Sequence, residues 1–148
     1  MSEAAVITRN KLNDSDSPTM TGSILIIDDE AEIRESLETL LELEGYSVET
    51  AGTGQQGLYR IGQRTFDLIL LDLALPDRNG MDILAELRSQ DPNLSVMMIT
   101  AYGTVENAVK AIQSGAVNFV QKPWDNEKLL ATCARPSPVI ARKKKTSS

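Results

Sequence analysis

The strongest constraint on the fold is that short apolar runs alternate five times with amphipathic stretches along the chain. The apolar runs, which predict β-strands, are 23–27, 47–51, 66–71, 96–99 and 117–120. The stretches with helical spacing that follow them are 33–41, 53–63, 81–87, 105–112 and 125–134. Strands that alternate with helices favour right-handed crossovers and a parallel sheet with helices on both faces. We therefore predict an α/β fold of five βα units, a doubly wound parallel sheet of strand order 2-1-3-4-5.

Two details place individual elements within this fold. The second strand, 47–51, alternates polar and apolar residues, which is typical of a strand at the edge of a sheet. Gly45 and Gly115 follow the first and fourth helical stretches, where glycine is the usual residue just past a helix end. We expect these two helices to end there.

The composition excludes several kinds of chemistry. The 148 residues contain no histidine and a single cysteine, Cys133, so the chain has no histidine-based active site and no internal disulfide. Hydrophobic residues make up 41% of the chain, enough for the core of one domain. No apolar run approaches the roughly 20 residues that cross a bilayer, and no secretory signal pattern is present. We expect a cytoplasmic domain that does not contact a membrane.

The charge is distributed unevenly along the chain. The net charge is −6, but residues 135–148 carry five of the 15 basic side chains and none of the 21 acidic ones. The acidic remainder should repel nucleic acid. We divide the chain into a disordered extension (1–20), one folded domain (21–134) and a basic disordered tail (135–148). The tail is interpreted either as a solvated segment or as a contact for nucleic acid or a partner.

Polar side chains follow four of the five predicted strands. The first strand is followed by Asp28 and Asp29, and the third by Asp72. The fourth ends in Thr100, and Lys122 follows the fifth. Carboxyl ends of parallel strands meet at one edge of the sheet, which is where such folds bind ligands. Three carboxylates there would repel one another unless a hard cation such as Mg²⁺ is bound, and Asp72 could then act as a nucleophile towards a phosphoryl group.

The residues that carry this pattern also match a known family. In chain order they are Ile24-Leu25-Ile26-Ile27-Asp28-Asp29-Glu30, Leu71-Asp72-Leu73, Pro76, Gly80, Thr100-Ala101 and Lys122-Pro123. Over residues 22–134 the chain resembles the receiver domain of bacterial two-component response regulators, which implies a flavodoxin-like three-layer sandwich. The run 99–105, with Gly115-Ala116 and Lys122-Pro123-Trp124, resembles most the receivers of NtrC-type regulators that act at sigma-54 promoters.

The resemblance assigns a role to each polar residue. Asp72 would accept a phosphoryl group from a phosphohistidine of a sensor histidine kinase, or from a small phosphodonor. Asp29 would bind Mg²⁺ directly, Asp28 through water, and the backbone carbonyl of Ala74 would be a further ligand. Lys122 would pair with Asp72 before the reaction and with the phosphoryl oxygens after it. With no histidine of its own, the chain would depend on an external donor.

The resemblance also implies a conformational switch. Thr100 would move to hydrogen-bond the phosphoryl group, and the ring of Phe119 would turn inward into the space that Thr100 leaves. In the family the affected face comprises the fourth helix, the fifth strand and the fifth helix, here about 104–114, 117–121 and 125–134. We expect phosphorylation to promote dimerisation, or docking of a partner, through this face.

Each of these residues also has a simpler interpretation. The acidic pair 28–29 would cap a helix, and Asp72 would be a solvated loop residue. Thr100 would be an ordinary β-branched strand residue, and Lys122 a surface lysine. Phe119 would be a plain core side chain. The spacing of all the motifs together favours the functional interpretation over the simple one.

Three alternatives at the level of the whole protein remain. A phosphatase-like enzyme with an aspartate nucleophile needs an acid two residues after it, and Ala74 stands there. A degenerate receiver that binds without being phosphorylated would usually lack one of the acids or Lys122. The chain reaches Ser148 without the ATPase and DNA-binding domains of an NtrC-type regulator. The chain could therefore be a stand-alone receiver, a fragment or a truncated regulator. In each of these three cases we expect a protein that is not an enzyme.

Overall fold

The computed structural model describes residues 22–134, so the predicted extension and basic tail lie outside the described residues. The strands are β1 (Ser23–Ile27), β2 (Ser47–Ala51), β3 (Leu68–Leu71), β4 (Val96–Thr100) and β5 (Asn118–Gln121). The helices are α1 (Ala31–Leu43), α2 (Gly54–Gln63), α3 (Gly80–Gln90), α4 (Val105–Gln113) and α5 (Asn126–Ala134). The strands form one parallel sheet of order β2-β1-β3-β4-β5, which confirms the predicted fold.

The central strands have both faces covered, which explains their uninterrupted apolar sequences. Ile24 and Ile26 of β1 pack with buried residues of α1 and α5, such as Leu37 and Leu129. The alternate β1 residues pack on the other face, with α3, α4 and partly buried residues of α2. The helices therefore form one layer of two and another of three, on opposite faces of the sheet.

The strands at the two edges are less buried than the central ones. β2 lies at one edge, as its alternating sequence predicts, and its residues are mostly half-buried. β5 forms the other edge and is exposed at both ends. Lys122 follows β5 directly, so it lies at the carboxyl edge of the sheet, on the side formed by this edge strand.

Both predicted glycine helix ends are confirmed. Gly45 has a φ of +100°, and the following residue, Tyr46, donates its N–H to the carbonyl of Leu41, 3.1 Å away. Gly115 has a φ of +108°, and Ala116 donates in the same way to Ala111, at 2.9 Å. A residue with a side chain is strained at these dihedral angles, so glycine is the residue that allows the chain to turn back towards the sheet.

The apolar stripe that predicts α4 does not mark the buried side of that helix. Within α4 the structure buries Ala111, whereas Val105, Val109 and Ile112 remain 81%, 47% and 49% exposed. An exposed row of apolar side chains at helical spacing is typical of an interaction surface. Separately, none of the helices within 22–134 is long and apolar enough to cross a membrane.

Candidate functional site

Backbone pairing carries the predicted polar residues to one edge of the sheet. The Asp28 N–H donates to the carbonyl of Ala51 (3.0 Å), so pairing between β1 and β2 continues past the end of β1. The Asp72 N–H donates to Ile27 (2.9 Å) in the same way. The Lys122 N–H likewise donates to Thr100, the last residue of β4, at 2.8 Å. The position of each side chain is thus set by a rigid strand rather than by a free loop.

The three acidic residues form a cluster. Oxygen atoms of Asp28, Asp29 and Asp72 all lie within 4.8 Å of one another. Asp28 and Asp72 are buried, whereas Asp29 is exposed at the mouth of the site. Hard divalent cations prefer carboxylate and carbonyl oxygens, and a shared cation would offset the repulsion between these groups. The donor set and its spacing therefore fit a Mg²⁺ ion.

Lys122 lies among the acids and pairs with more than one of them. Its Nζ is 2.6 Å from Asp28 Oδ2, 3.3 Å from Glu30 Oε1 and 3.4 Å from Asp72 Oδ2. Burial by itself lowers the pKa of Lys122, but the hydrogen bond to Asp28 and the charges of the three acids outweigh it and raise the pKa. In the structure Lys122 thus lies closest to Asp28, and Asp72 shares it.

The environment of Asp72 makes its negative charge costly. Burial raises the pKa of Asp72, and the nearby charge of Asp28 raises it further. The charge of Lys122 and hydrogen bonds from the Ala74 amide and the Thr100 side chain offset this only in part. The Ala74 amide lies 3.3 Å from Asp72 Oδ1. A buried carboxylate beside another negative charge is stabilised when a cation binds next to it, or when its charge is spread over a larger group.

Thr100 and Phe119 lie in different parts of the site region. Thr100 is buried, and its Oγ1 accepts the N–H of Tyr102 at 3.1 Å. Phe119 lies on β5, paired with Met98 two residues before Thr100. Its ring is half-buried and packs on the core layer that contains α3 and α4. Phe119 therefore lies outside the acidic cluster, on the neighbouring strand.

Asp29, Asp72 and Lys122 line a cavity of about 270 Å³. Its lining also includes Glu30, Ala74 and Tyr102. Tyr102 is 61% exposed. A volume of this size accommodates a group such as a phosphoryl with a cation, and solvent reaches it from the Asp29 side.

Two residues near the site were not predicted from the sequence. Glu30 pairs with Lys122, and its only sequence signal is its place directly after the two aspartates. Arg34 of α1 donates from Nη1 to the carbonyl of Asp28 at 2.7 Å. No local motif marks this contact, because it joins a helix to the end of the preceding strand. Both residues help to hold Asp28 and Lys122 in place.

The fold and the acidic cluster with its lysine define a class of protein, and comparison of sequences gives the same class. Residues 24–134 match the response regulator receiver domain family, and the chain belongs to that family. Receiver domains bind Mg²⁺ in an acidic pocket, and the cluster of Asp28, Asp29 and Asp72 fits this requirement.

The relatives include regulators of transcription. The chain is 41% identical over 114 residues to the alginate biosynthesis transcriptional regulatory protein AlgB of Pseudomonas aeruginosa, covering 77% of this chain and 25% of AlgB. It is 38% identical over 109 residues to the transcriptional regulatory protein ZraR of Escherichia coli O157:H7, covering 74% and 25%. The chain spans about a quarter of the length of these curated relatives.

Solved structures lead to the same family. NtrX from Brucella abortus superposes with a TM-score of 0.80 at 33% identity, covering 86% of this chain and 29% of NtrX. A CheY-like receiver domain protein from Methanospirillum hungatei superposes with a TM-score of 0.71 at 37% identity, covering 74% and 88%. The predicted resemblance to receivers of NtrC-type sigma-54 regulators is confirmed.

Proposed function

We propose that this domain accepts a phosphoryl group on Asp72 from the phosphohistidine of a sensor histidine kinase and thereby switches an interaction surface. The observation that carries the proposal is the buried Asp72 carboxylate, placed beside two further aspartates and within 3.4 Å of the Lys122 Nζ. Receiver domains of response regulators interact with histidine kinases, which supports this choice of donor.

The transfer follows from the groups around Asp72. An Asp72 carboxylate oxygen attacks the phosphorus, so a P–O bond forms while the P–N bond to the donor histidine breaks and its electrons return to the imidazole. Asp28, Asp29, Asp72 and the Ala74 carbonyl would hold Mg²⁺, which would supply positive charge to stabilise the phosphoryl oxygens. Lys122 would move from the carboxylates to those oxygens and bring its positive charge to them.

The same residues argue against a turnover enzyme. Ala74 has no acidic or basic side chain that could activate water beside a phosphorylated Asp72. We therefore propose a long-lived phosphoryl group that acts as a signal, and not a phosphatase.

The proposed output surface is the face of α4, β5 and α5. The exposed side chains of Val105, Val109 and Ile112 on α4 support it, because a second receiver or an effector would cover them. Thr100 ends β4, the strand that leads through a short loop into α4, and Phe119 lies on β5, so both connect the site to this face. We propose that phosphorylation controls an effector in transcription, and that the protein is cytoplasmic, which the single free cysteine supports.

The test is direct phosphorylation. The domain is incubated with acetyl phosphate and Mg²⁺, or with an autophosphorylated histidine kinase, and its intact mass is measured. We expect one added phosphate in the wild type and in the control Asp82→Asn, which removes an exposed acid of α3. Asp72→Asn should take up none. An unmodified wild type would overturn the proposal and favour a degenerate receiver, whereas repeated turnover of phosphate esters would favour an enzyme.

The output is tested separately. The phosphoryl mimic beryllofluoride is added with Mg²⁺, and the mass in solution is measured by light scattering. We expect a dimer, or shifts of amide resonances within 104–134. If neither the mass nor these resonances change, the proposed surface is wrong even where Asp72 is phosphorylated.

A further inference from the structure

The loop between β3 and α3 contacts α2, a helix whose side chains do not line the acidic site. Asp77 lies on this loop, five residues after Asp72, and its side chain is exposed. Asp77 Oδ1 accepts the N–H of Gly54 at 2.8 Å, and Oδ2 accepts the N–H of Gln55 at 2.9 Å. One carboxylate thus joins the phosphoacceptor loop to the first two residues of α2.

These contacts complete the N-terminus of α2. The first amides of a helix have no partner within the helix. In α2, the Thr53 side chain accepts the N–H of Gln56 at 3.0 Å, and the Thr53 carbonyl accepts that of Gly57. The remaining two amides, of Gly54 and Gln55, are satisfied by Asp77. A carboxylate is favourable there because the start of a helix is electropositive, and the two hydrogen bonds also lower the pKa of Asp77.

The other end of the same loop is closed by the backbone. Gly80 donates its N–H to the carbonyl of Leu73 at 2.7 Å, and Ala74 forms an antiparallel bridge with Asn79. A Cβ on Gly80 would lie 2.3 Å from the carbonyl oxygen of Asp72, so the loop can close this tightly only around glycine. The loop therefore has a closed base at Ala74 and a tip that Asp77 attaches to α2.

The junction between α2 and the loop is also closely packed. Gly54 is buried, and a Cβ there would lie 2.6 Å from Ile83 Cδ1 of α3 and 3.3 Å from Asp77 Oδ1. The start of α2 thus touches both the loop and α3. A displacement of Asp77 would consequently alter a packed contact as well as two hydrogen bonds.

We propose that Asp77 is a positioning residue for phosphoryl transfer: it holds the β3–α3 loop against α2 and so keeps the Ala74 carbonyl aligned with Asp72 for Mg²⁺. The proposal rests on the proposed function, because Mg²⁺ binding and phosphorylation of Asp72 belong to it. Groups that orient metal ligands without touching the metal commonly change metal affinity by about tenfold or more. Asp77 would act in that way through the backbone.

The test compares Asp77→Ala and Asp77→Asn with Asp82→Ala, which removes an exposed acid from the first turn of α3. Mg²⁺ affinity is measured by calorimetry, and the rate of phosphorylation by acetyl phosphate is measured across Mg²⁺ concentrations. We expect Asp77→Ala to weaken Mg²⁺ binding about tenfold and to slow phosphorylation at low Mg²⁺, with recovery at saturating Mg²⁺. Asp77→Asn keeps one acceptor and should lose about threefold. Asp82→Ala should match the wild type.

Hydrogen exchange provides a readout that does not depend on activity. In Asp77→Ala the amides of Gly54 and Gln55, and those of the loop, should exchange faster than in the wild type. Unchanged exchange, or faster exchange with unchanged Mg²⁺ affinity, would overturn the proposal. So would a rate that stays low at saturating Mg²⁺, since that is the result of a purely structural role. A wild type that binds no Mg²⁺ would instead refute the proposed function, and this inference with it.

Discussion

Helices α3 and α4 cover the same face of the sheet but are anchored to it very differently. α3 buries Ile83, Leu84 and Leu87 almost completely. In α4 the corresponding buried side chain is Ala111, which has little apolar surface. Each helix is the next element after a strand that delivers a site residue, and a loop joins the two, so both are placed to respond to the site. They differ in how much it costs to move them.

The difference can be expressed as free energy. Burying a large aliphatic side chain contributes about 1.5–3 kcal/mol. Three such side chains hold α3, whereas α4 depends on Ala111 and on local hydrogen bonds at its ends, such as that from the Asn107 side chain to the Tyr102 carbonyl. We infer that α3 is held firmly against the sheet beside the acidic site, whereas α4 is the helix that can shift at a low cost in free energy.

The largest expected effect is the loss of an anchor of α3. Leu84→Ala should lower the free energy of unfolding by about 3 kcal/mol, because a fully buried leucine leaves a cavity. Urea unfolding followed by circular dichroism measures it, with Val109→Ala on α4 as the comparison. A loss below about 1 kcal/mol would mean that α3 is not the anchored helix.

Hydrogen exchange should show the same contrast without any substitution. In the unphosphorylated domain, amides within 108–112 of α4 should exchange faster than those within 83–87 of α3. We expect a difference in opening free energy of about 2 kcal/mol, or roughly 30-fold in rate. Equal protection of the two helices would contradict the inference that α4 is the weakly held element.

The contrast between these helices also shows what the sequence could predict. The period of apolar residues gave both helices, and the parallel topology brought Asp28, Asp72 and Lys122 together, because strand ends of such a sheet share one edge. The period does not tell which side of a helix is covered, however. Whether Val105, Val109 and Ile112 face the sheet or the solvent depends on which side of α4 packs against the sheet, and this is a tertiary property.

Contacts between distant segments were equally beyond the sequence. Asp77 caps α2 from a position more than 20 residues along the chain, and nothing local to either segment signals the pairing. The Lys122 Nζ lies 2.6 Å from Asp28 Oδ2 but 3.4 Å from Asp72 Oδ2. This preference for Asp28 depends on side-chain geometry. Motifs predict which residues share a site, but not how the charges within it are divided.

The third prediction concerns the acidic site, where the buried Asp72 carries an unfavourable negative charge. Without Mg²⁺, Asp72→Asn should raise the free energy of unfolding at pH 7 by about 1 kcal/mol. Burial and the charge of Asp28 raise the pKa of Asp72 above its ordinary value of 3.8. Lys122 keeps Asp28 and Glu30 as partners in the variant.

The sign of the pH dependence follows from that raised pKa. Because the pKa of Asp72 is higher in the folded state, proton binding by Asp72 adds to the free energy of unfolding. This contribution is fully present below about pH 4 and is lost as the pH rises through the folded-state pKa. The variant should therefore match the wild type at low pH and exceed it in stability as the pH approaches 7. Urea unfolding in EDTA at several pH values measures this. A gap that stays constant with pH would show that the charge of Asp72 is not its cause.

The smallest expected effect on stability belongs to α4, and there a small value is informative. Ile112→Gln should change the free energy of unfolding by less than about 0.5 kcal/mol, because the side chain is half exposed and glutamine is a good helix former. In the beryllofluoride form the same variant should weaken dimerisation, measured by light scattering. Lys110→Gln is the control, since its exposed pair with Glu106 contributes little.

Two outcomes for Ile112→Gln would contradict this view of α4. If the free energy of unfolding fell by more than about 1.5 kcal/mol, α4 would be held as firmly as α3. If the variant dimerised normally and its stability were unchanged, α4 would still be weakly held, but the output surface would lie elsewhere on the domain. The two measurements therefore separate how α4 is anchored from what it binds.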